Sequence, residues 1–162
     1  MKIGLMALLG GFILAFSGAA HANCFPSLTL GDYPLGEWSD ADRTWVVSDT
    51  VGSSSDYLTT QSAAQAHRDA LLEECSTKGN AVIAEVEGRL NERKAGLGAE
   101  FDRTCTDMIF CPMVRDTAIQ FQENEIDREI DRMKTWYQGR INSCKDHFNY
   151  RYNTLSPLIC SP

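Results

Sequence analysis

Six cysteines constrain the fold of this chain more than any other sequence feature. All of them follow an apolar leader, and their spacing is close to a mirror image: Cys24, Cys75, Cys105, Cys111, Cys144 and Cys160. An even number of cysteines in an exported chain indicates a disulfide framework and not a set of reactive thiols. Six cysteines allow many pairings, and the mirror spacing favours a nested set.

The N-terminal segment predicts export. Lys2 is followed by an apolar run over residues 3–16 and then by the small-residue pattern Ala20-His21-Ala22. These features are typical of a secretory signal peptide, which we place over residues 1–22 with cleavage after its last residue. The apolar run is shorter than the ~20 residues that span a bilayer, so we expect no stable membrane anchor after cleavage. The mature protein is therefore expected to be periplasmic or secreted.

Length and charge narrow the range of partners. Removal of residues 1–22 leaves about 140 of the 162 residues, which is one ordinary domain. The formal net charge of the whole chain is -7. Nucleic acid is not an expected partner, because phosphate binding requires clustered Lys and Arg that release counterions. A basic protein would be steered toward this acidic surface.

The segment after the leader, residues 23–56, predicts an irregular N-terminal arm because it is rich in Gly, Pro and Ser. One short run, Thr44 to Val47, has the residue types of a strand, but without a second such run it has no partner for a sheet. We expect the aromatic side chains of the arm to pack on a helical partner: Phe25, Tyr33, Trp38 and Trp45.

Residues 57–162 predict an all-α fold, either a long antiparallel helical hairpin or a small helical bundle, that forms a single domain with the arm. The first helix is expected from Thr59 to about Thr106. Its apolar residues recur at spacings of three, four and seven, which places them on one stripe: Leu71, Cys75, Val82, Val86, Leu90, Leu97, Phe101 and Cys105. Interior glycines weaken a helix, so a break at Gly79-Asn80 or over residues 96–98 stays open.

A second, cleaner helix is expected to begin at Pro112, because proline is tolerated in the first helical position. It runs to Tyr152 or Leu155, where the restriction that Pro157 places on Ser156 forces an end. Its apolar residues form a heptad-like seam: Ile119, Ile126, Ile130, Met133, Tyr137, Ile141, Cys144 and Phe148.

The helical seams give the cysteine pairing a register. If the two helices fold back on each other at residues 106–111, paired residues have numbers that add up to roughly 216 to 220. Cys75 and Cys144 fit this register, and both lie on the seams. The outermost cysteines would then join the arm to the C-terminal tail. The favoured disulfides are Cys105-Cys111, Cys75-Cys144 and Cys24-Cys160.

The innermost disulfide would clip a short loop with an apolar end. A loop that is ordered in advance loses little entropy on binding, so this tip is a candidate partner-binding element. In the alternative role its apolar residues fold against Phe101, Met113 and Phe121 and seal the end of the hairpin. The candidate partner-binding residues are Asp102, Asp107, Met108, Ile109 and Phe110.

Motifs of catalysis and metal binding are missing from the sequence. No CxxC occurs, and serine-nucleophile and glycine-rich phosphate motifs are absent as well. His67 has no second ligand at helical spacing, and His147 has only the adjacent Asp146. We therefore expect that the protein is not an enzyme and that it binds no cofactor and no metal.

The second helix contains Trp136, Arg140 and Cys144 at four-residue intervals, and Cys75 is followed by Leu90-Asn91. This pattern resembles the LprI-type lysozyme-inhibitor domain, a small exported helical family. Compared with that family, the gap from Cys75 to Leu90-Asn91 is long and the stretch up to Trp136 stands as an insertion. The resemblance implies a protein that binds a cell-wall-degrading enzyme.

The same spacing has a simpler structural meaning. Residues four apart share one face of a helix. Arg140 is therefore expected either to stack on the ring of Trp136 or to pair with an acid such as Glu129 or Asp131.

Together these observations predict an exported, non-catalytic protein-binding module. Its partner would be a basic, lysozyme-like cell-wall-degrading enzyme or a toxin, which the protein would inhibit or neutralise. The alternative is a structural subunit of an envelope or secretion assembly that packs through its helical seam. A stable oligomer without an added partner would favour the alternative, and the sequence leaves the oligomeric state open.

Overall fold

Two long antiparallel helices dominate the computed structural model, which describes residues 24–39, 44–46, 50–107 and 109–160. Helix α1 spans Gln61–Thr104 and helix α2 spans Phe110–Leu155, followed by one turn of 3-10 helix at Ser156–Leu158. The predicted all-α helical hairpin is thus confirmed. The predicted signal peptide and Met108 lie outside the described residues.

Helix α1 is continuous, without the break that its glycines left open. It begins after Thr60, whose Oγ1 accepts a hydrogen bond from the backbone N–H of Ala63 at 3.1 Å and caps the helix. Its predicted stripe packs along α2 over most of its length, and this tertiary contact outweighs the low helix propensity of glycine.

Helix α2 begins two residues before the predicted position, at Phe110. Asp107 makes the earlier start favourable, because its Oδ1 accepts the backbone N–H groups of Ile109 and Phe110, each at 2.8 Å. Pro112 stands in the first turn, where its missing N–H has no intrahelical partner. The helix ends at Leu155, one of the two expected residues.

The two seams form a buried contact between the helices. Nine of the predicted seam residues make up or adjoin the cluster at the distal half of the hairpin: Val82, Val86, Leu90, Leu97, Ile119, Ile126, Ile130, Met133 and Tyr137. Phe101, Cys105 and Ile119 are only half-buried near the tip. Gly79, which the pattern of apolar residues does not include, is buried as well and faces Ile141.

The arm contains two small antiparallel pairs of strands. Strand β1 (Gly31–Pro34) pairs with β4 (Thr50–Ser53), and β2 (Glu37–Ser39) pairs with β3 (Thr44–Val46). The expectation that the run at Thr44 has no partner was therefore wrong. Strands of three or four residues carry too few alternating positions to be recognised from the sequence.

Aliphatic residues attach the arm to the base of the hairpin. Leu30, Leu35 and Val51 are almost fully buried in one cluster with residues of both helices and of the C-terminal tail. Phe25, expected to pack, is 47% exposed and contributes its backbone instead, in a bridge to Ile159. Tyr33 does pack on the cluster, whereas the side chains of Trp38 and Trp45 are outside what the structure describes.

Three disulfides fix the hairpin, one at its tip, one within the base cluster and one between the arm and the C-terminal tail, and they are the nested pairs expected from the spacing. Cys24 bonds to Cys160, Cys75 to Cys144 and Cys105 to Cys111, with Cα–Cα distances of 4.9, 6.0 and 5.8 Å. In the chain-entropy model, the middle bridge stabilises the fold by about 4 kcal/mol and the short tip bridge by about 2 kcal/mol. Disulfides of this kind indicate an oxidising environment outside the cytoplasm.

Candidate protein-binding site

The turn between the helices is held in one arrangement by three local interactions. The Cys105–Cys111 disulfide closes it, and Asp107 caps the first turn of α2. Arg115 of α2 donates two hydrogen bonds to the carboxylate of Asp102 of α1, at 2.7 and 3.0 Å. The described residues on either side of Met108 are therefore held together before any partner arrives.

Both candidate aspartates at the tip are exposed and ionised. Hydrogen bonds from Arg115 hold the pKa of Asp102 below its ordinary value, and the same pair raises the pKa of Arg115. The backbone N–H groups of Phe110 and Ile109 lower the pKa of Asp107 in the same way. Each carboxylate thus has a structural role and still presents negative charge to solvent.

The apolar residues beside the turn do not seal the end of the hairpin. Ile109 is 73% exposed and Phe110 is 64% exposed, while Met113 and Phe121, the residues expected to cover them, are 74% and 64% exposed. The alternative in which these apolar residues seal the end of the hairpin is therefore wrong for the described part of the tip. We call the following exposed set the tip patch: Ile109, Phe110, Met113, Val114 and Phe121.

The tip patch occupies the outer face of α2, opposite the seam. At 100° per residue, Phe110, Val114 and Phe121 point away from the buried Ile126 and Ile130. Thr117 and Ala118 complete this face, and a shallow depression of about 420 Å³ lies between the side chains of its members: Met113, Val114, Thr117, Ala118, Phe121 and Gln122.

The size of the tip patch is unusual for a surface that contacts only water. Its five side chains expose on the order of 600 Å², taking about 200 Å² for a fully exposed side chain of this size. Contiguous apolar patches of more than a few hundred Å² mark interaction sites. Ile109 and Phe110 were predicted from the sequence as binding candidates, whereas Met113, Val114 and Phe121 were not predicted as surface residues. Their spacing on the face opposite the seam was the available signal.

A more polar groove adjoins the tip patch on the side of α1. It has a volume of about 330 Å³, shares Gln122 with the depression and carries both signs of charge. Its acidic and basic residues are Arg93, Glu100, Glu125, Glu129 and Arg132. Charged groups therefore border the apolar face on one flank.

Arg140, the centre of the resemblance, has a structural contact at the other end of the hairpin. Its guanidinium lies over the rings of Tyr33, at 4.9 Å, and of Trp136, at 5.5 Å. It also donates hydrogen bonds to the backbone carbonyls of Leu35, at 3.2 Å, and of Pro34. Of the two expected arrangements, stacking is the one found, and it ties the arm to α2.

The histidines stand apart from each other. His67 Nε2 lies 3.7 Å from Asp56 Oδ2. His147 packs between Tyr33 and Phe148, and burial, followed by the charge of Arg151, lowers its pKa. Within the described residues, no group of three or more His, Cys, Asp or Glu could hold a metal ion.

Comparisons with known proteins gave no match. No family model matches the chain, and no curated protein or solved structure matches it. Among the described helices, none is long and apolar enough to cross a membrane. Function is therefore inferred from the residues and geometry of the tip.

Proposed function

We propose that this protein is an exported, non-catalytic protein-binding module whose recognition surface is the tip patch. The observation that carries the proposal is the exposure of five large apolar side chains over the first three turns of α2 and the residue before it. Phe and Met, which supply three of the five side chains, are enriched at the cores of protein interfaces.

The ordering of the tip supports recognition. A partner that binds a flexible loop must offset the entropy of ordering it, whereas the disulfide, the Asp107 cap and the Asp102–Arg115 ion pair already hold this turn. The apolar side chains are thus presented in a fixed arrangement, and their burial contributes directly to affinity.

Charge supports a basic partner. The whole chain has a net charge of -7, and the tip region carries exposed carboxylates at Asp102, which is paired with Arg115, at Asp107 and at Asp116, whose side chain is 98% exposed. Such a surface steers a positively charged protein toward the apolar anchors. Together with the resemblance to LprI-type lysozyme inhibitors, this favours a basic cell-wall-degrading enzyme as the partner.

The structural-subunit alternative is less well supported. It requires a free helical seam, and the seam residues are buried between α1 and α2. An assembly partner would have to use another face of the hairpin. Among the described residues, the tip patch groups five exposed large apolar side chains on one end of α2.

Calorimetric titration of oxidised mature protein with lysozyme tests the proposal. We expect Phe110→Ala and Phe121→Asp each to weaken binding at least about tenfold, because each removes an aromatic anchor. Tyr150→Asp is the matched control, since Tyr150 is equally exposed, at 71%, but lies near the opposite end of α2. Unchanged affinity in both tip variants would rule out the tip patch as the recognition surface.

The charges at the tip need a variant that preserves the helix cap. Asp107→Lys reverses the charge but also removes the acceptor of two backbone hydrogen bonds. Asp107→Asn keeps an acceptor oxygen and removes only the charge. We expect both variants to bind a basic partner more weakly and with a smaller dependence on salt concentration. If Asp107→Asn binds the basic partner with wild-type affinity, then Asp107 only caps the helix and does not contribute to binding.

A further inference from the structure

We propose that the tip patch also pairs with the tip patch of a second copy of this chain, with the two α2 segments antiparallel. The resulting dimer would bury the patch until another partner competes for it. The dimer follows from the geometry of α2 by itself, and only its masking role rests on the proposed function.

The spacing of the outer face is the first reason. Phe110, Val114, Thr117 and Phe121 follow at intervals of four, three and four residues, which read the same in both chain directions. Two such faces therefore match when they run antiparallel. Phe110 then lies opposite Phe121 of the partner subunit, and Val114 lies opposite Thr117 of the partner subunit.

This register makes an isologous contact, in which both copies use one surface. Its two-fold axis falls between Arg115 and Asp116, and Met113 lies opposite Ala118 of the partner subunit. Closed two-fold pairing of this kind ends with two copies and does not propagate into filaments.

The charges next to the axis do not have to be buried. At 100° per residue, Arg115 and Asp116 point more than 90° away from the centre of the apolar face. Arg115 is already held by Asp102 on the side of α1. The contact can therefore form without the penalty of removing an unpaired charge from water.

The area of the patch is compatible with a weak dimer. Ile109 points about 110° from the centre of this face, so the other four side chains, about 500 Å² per copy, bury about 1,000 Å² in total, which is the least area expected of a biological interface. We therefore expect a reversible dimer with a dissociation constant of about 10 to 100 µM, because interfaces of this small size are typical of weak, transient complexes.

Sedimentation equilibrium without any added partner tests the dimer. The oxidised mature protein should pass from monomer to dimer between about 5 and 500 µM. Phe121→Asp should remain a monomer throughout, and Tyr150→Asp should dimerise like the wild type. A wild type that stays monomeric over this range overturns the proposal, and so does a Phe121→Asp variant that dimerises normally.

Spin labels test the antiparallel register. Labels at Asp116→Cys lie beside the two-fold axis, so their separation is only the width of the helix pair. Labels at Arg128→Cys are about 25 residues apart along the common axis, or roughly 37 Å at 1.5 Å per residue. Similar distances at the two sites would indicate parallel packing and overturn this register.

The test of the dimer and the test of the proposed function can fail independently of each other. Dimerisation is measured without lysozyme, whereas the titration with lysozyme is performed well below the dimer dissociation constant. A dimer without lysozyme binding would support this inference and contradict the proposed partner. Lysozyme affinity that is unchanged at concentrations where the dimer dominates would overturn the masking role.

Discussion

Gly79 offers the sharpest test of how the two helices pack. It lies in the buried seam of α1, and a Cβ added there would stand 2.3 Å from Cγ1 and 2.6 Å from Cδ1 of Ile141. Ile141 is itself 2% exposed and has little room to move. Gly88 is the matched control, because it lies in the same helix with nothing within 4 Å of an added Cβ.

The two alanine substitutions are expected to change the free energy of unfolding in opposite directions. Replacement of glycine by alanine inside a helix gains about 1 kcal/mol of helix propensity. At Gly88 this gain is unopposed, so Gly88→Ala should raise the free energy of unfolding by about 1 kcal/mol. At Gly79 overpacking costs about 1 to 3 kcal/mol, so Gly79→Ala should lower the free energy of unfolding by about 1 kcal/mol.

Urea denaturation followed by far-UV circular dichroism measures both effects through the midpoint at unchanged slope. The Ile141→Ala background isolates the steric term, because it removes both clashing atoms and leaves Ile141 Cβ at 3.8 Å. In that background Gly79→Ala should stop being destabilising. The close packing inferred at this position is refuted if Gly79→Ala stabilises the wild type as much as Gly88→Ala does.

Three further effects are expected. Cys105→Ser with Cys111→Ser should lower the free energy of unfolding by about 2 kcal/mol, and an unchanged urea midpoint would contradict the role given to the tip bridge. Arg140→Lys should lower the free energy of unfolding by about 2 kcal/mol and make the arm sensitive to proteolysis, because a lysine cannot replace the stacked, forked guanidinium. An arm that resists proteolysis as well as the wild type does would contradict this role of Arg140. The pKa of His147 is below its ordinary 6.5 in the folded state, so the unfolded chain binds more protons and stability should fall as the pH drops below about 6.5. His147→Gln should flatten that part of the thermal stability profile, and an identical profile would exclude His147 as the cause.

Much of the hairpin could be predicted because two independent patterns agree on it. The apolar seams have helical periodicity, and Cys75 and Cys144 lie on them at positions that a single turn brings together. Both the periodicity and the disulfide register are properties of residue spacing, which the sequence records directly.

The arm was harder to predict because its order depends on contacts distant in the chain. Its strands have three or four residues each, and Arg140 fixes the arm through carbonyls more than a hundred residues away. Gly52 shows the same dependence, since its φ of 87° and a Gly31 carbonyl 2.7 Å from an added Cβ require glycine. A composition rich in glycine indicates a loop and not this pairing.

Only part of the candidate binding site could be predicted from the sequence. The loop between Cys105 and Cys111 was recognised as a candidate, but general packing favours burial of large apolar residues and so favoured a sealed tip. Only two helices meet here, and no third element of the described part of the chain covers the outer face of α2. The exposure of Met113 and Phe121 is therefore a consequence of architecture and not of local sequence.

Hydrogen–deuterium exchange on a complex with lysozyme tests the central claim most directly. Exchange should slow on binding over residues 109–122, which carry the tip patch, and stay the same over residues 140–152 at the opposite end of α2. The measurement belongs below the dimer dissociation constant, so that the free protein is monomeric. Slowed exchange confined to the arm and the base, with none at the tip, would contradict the account.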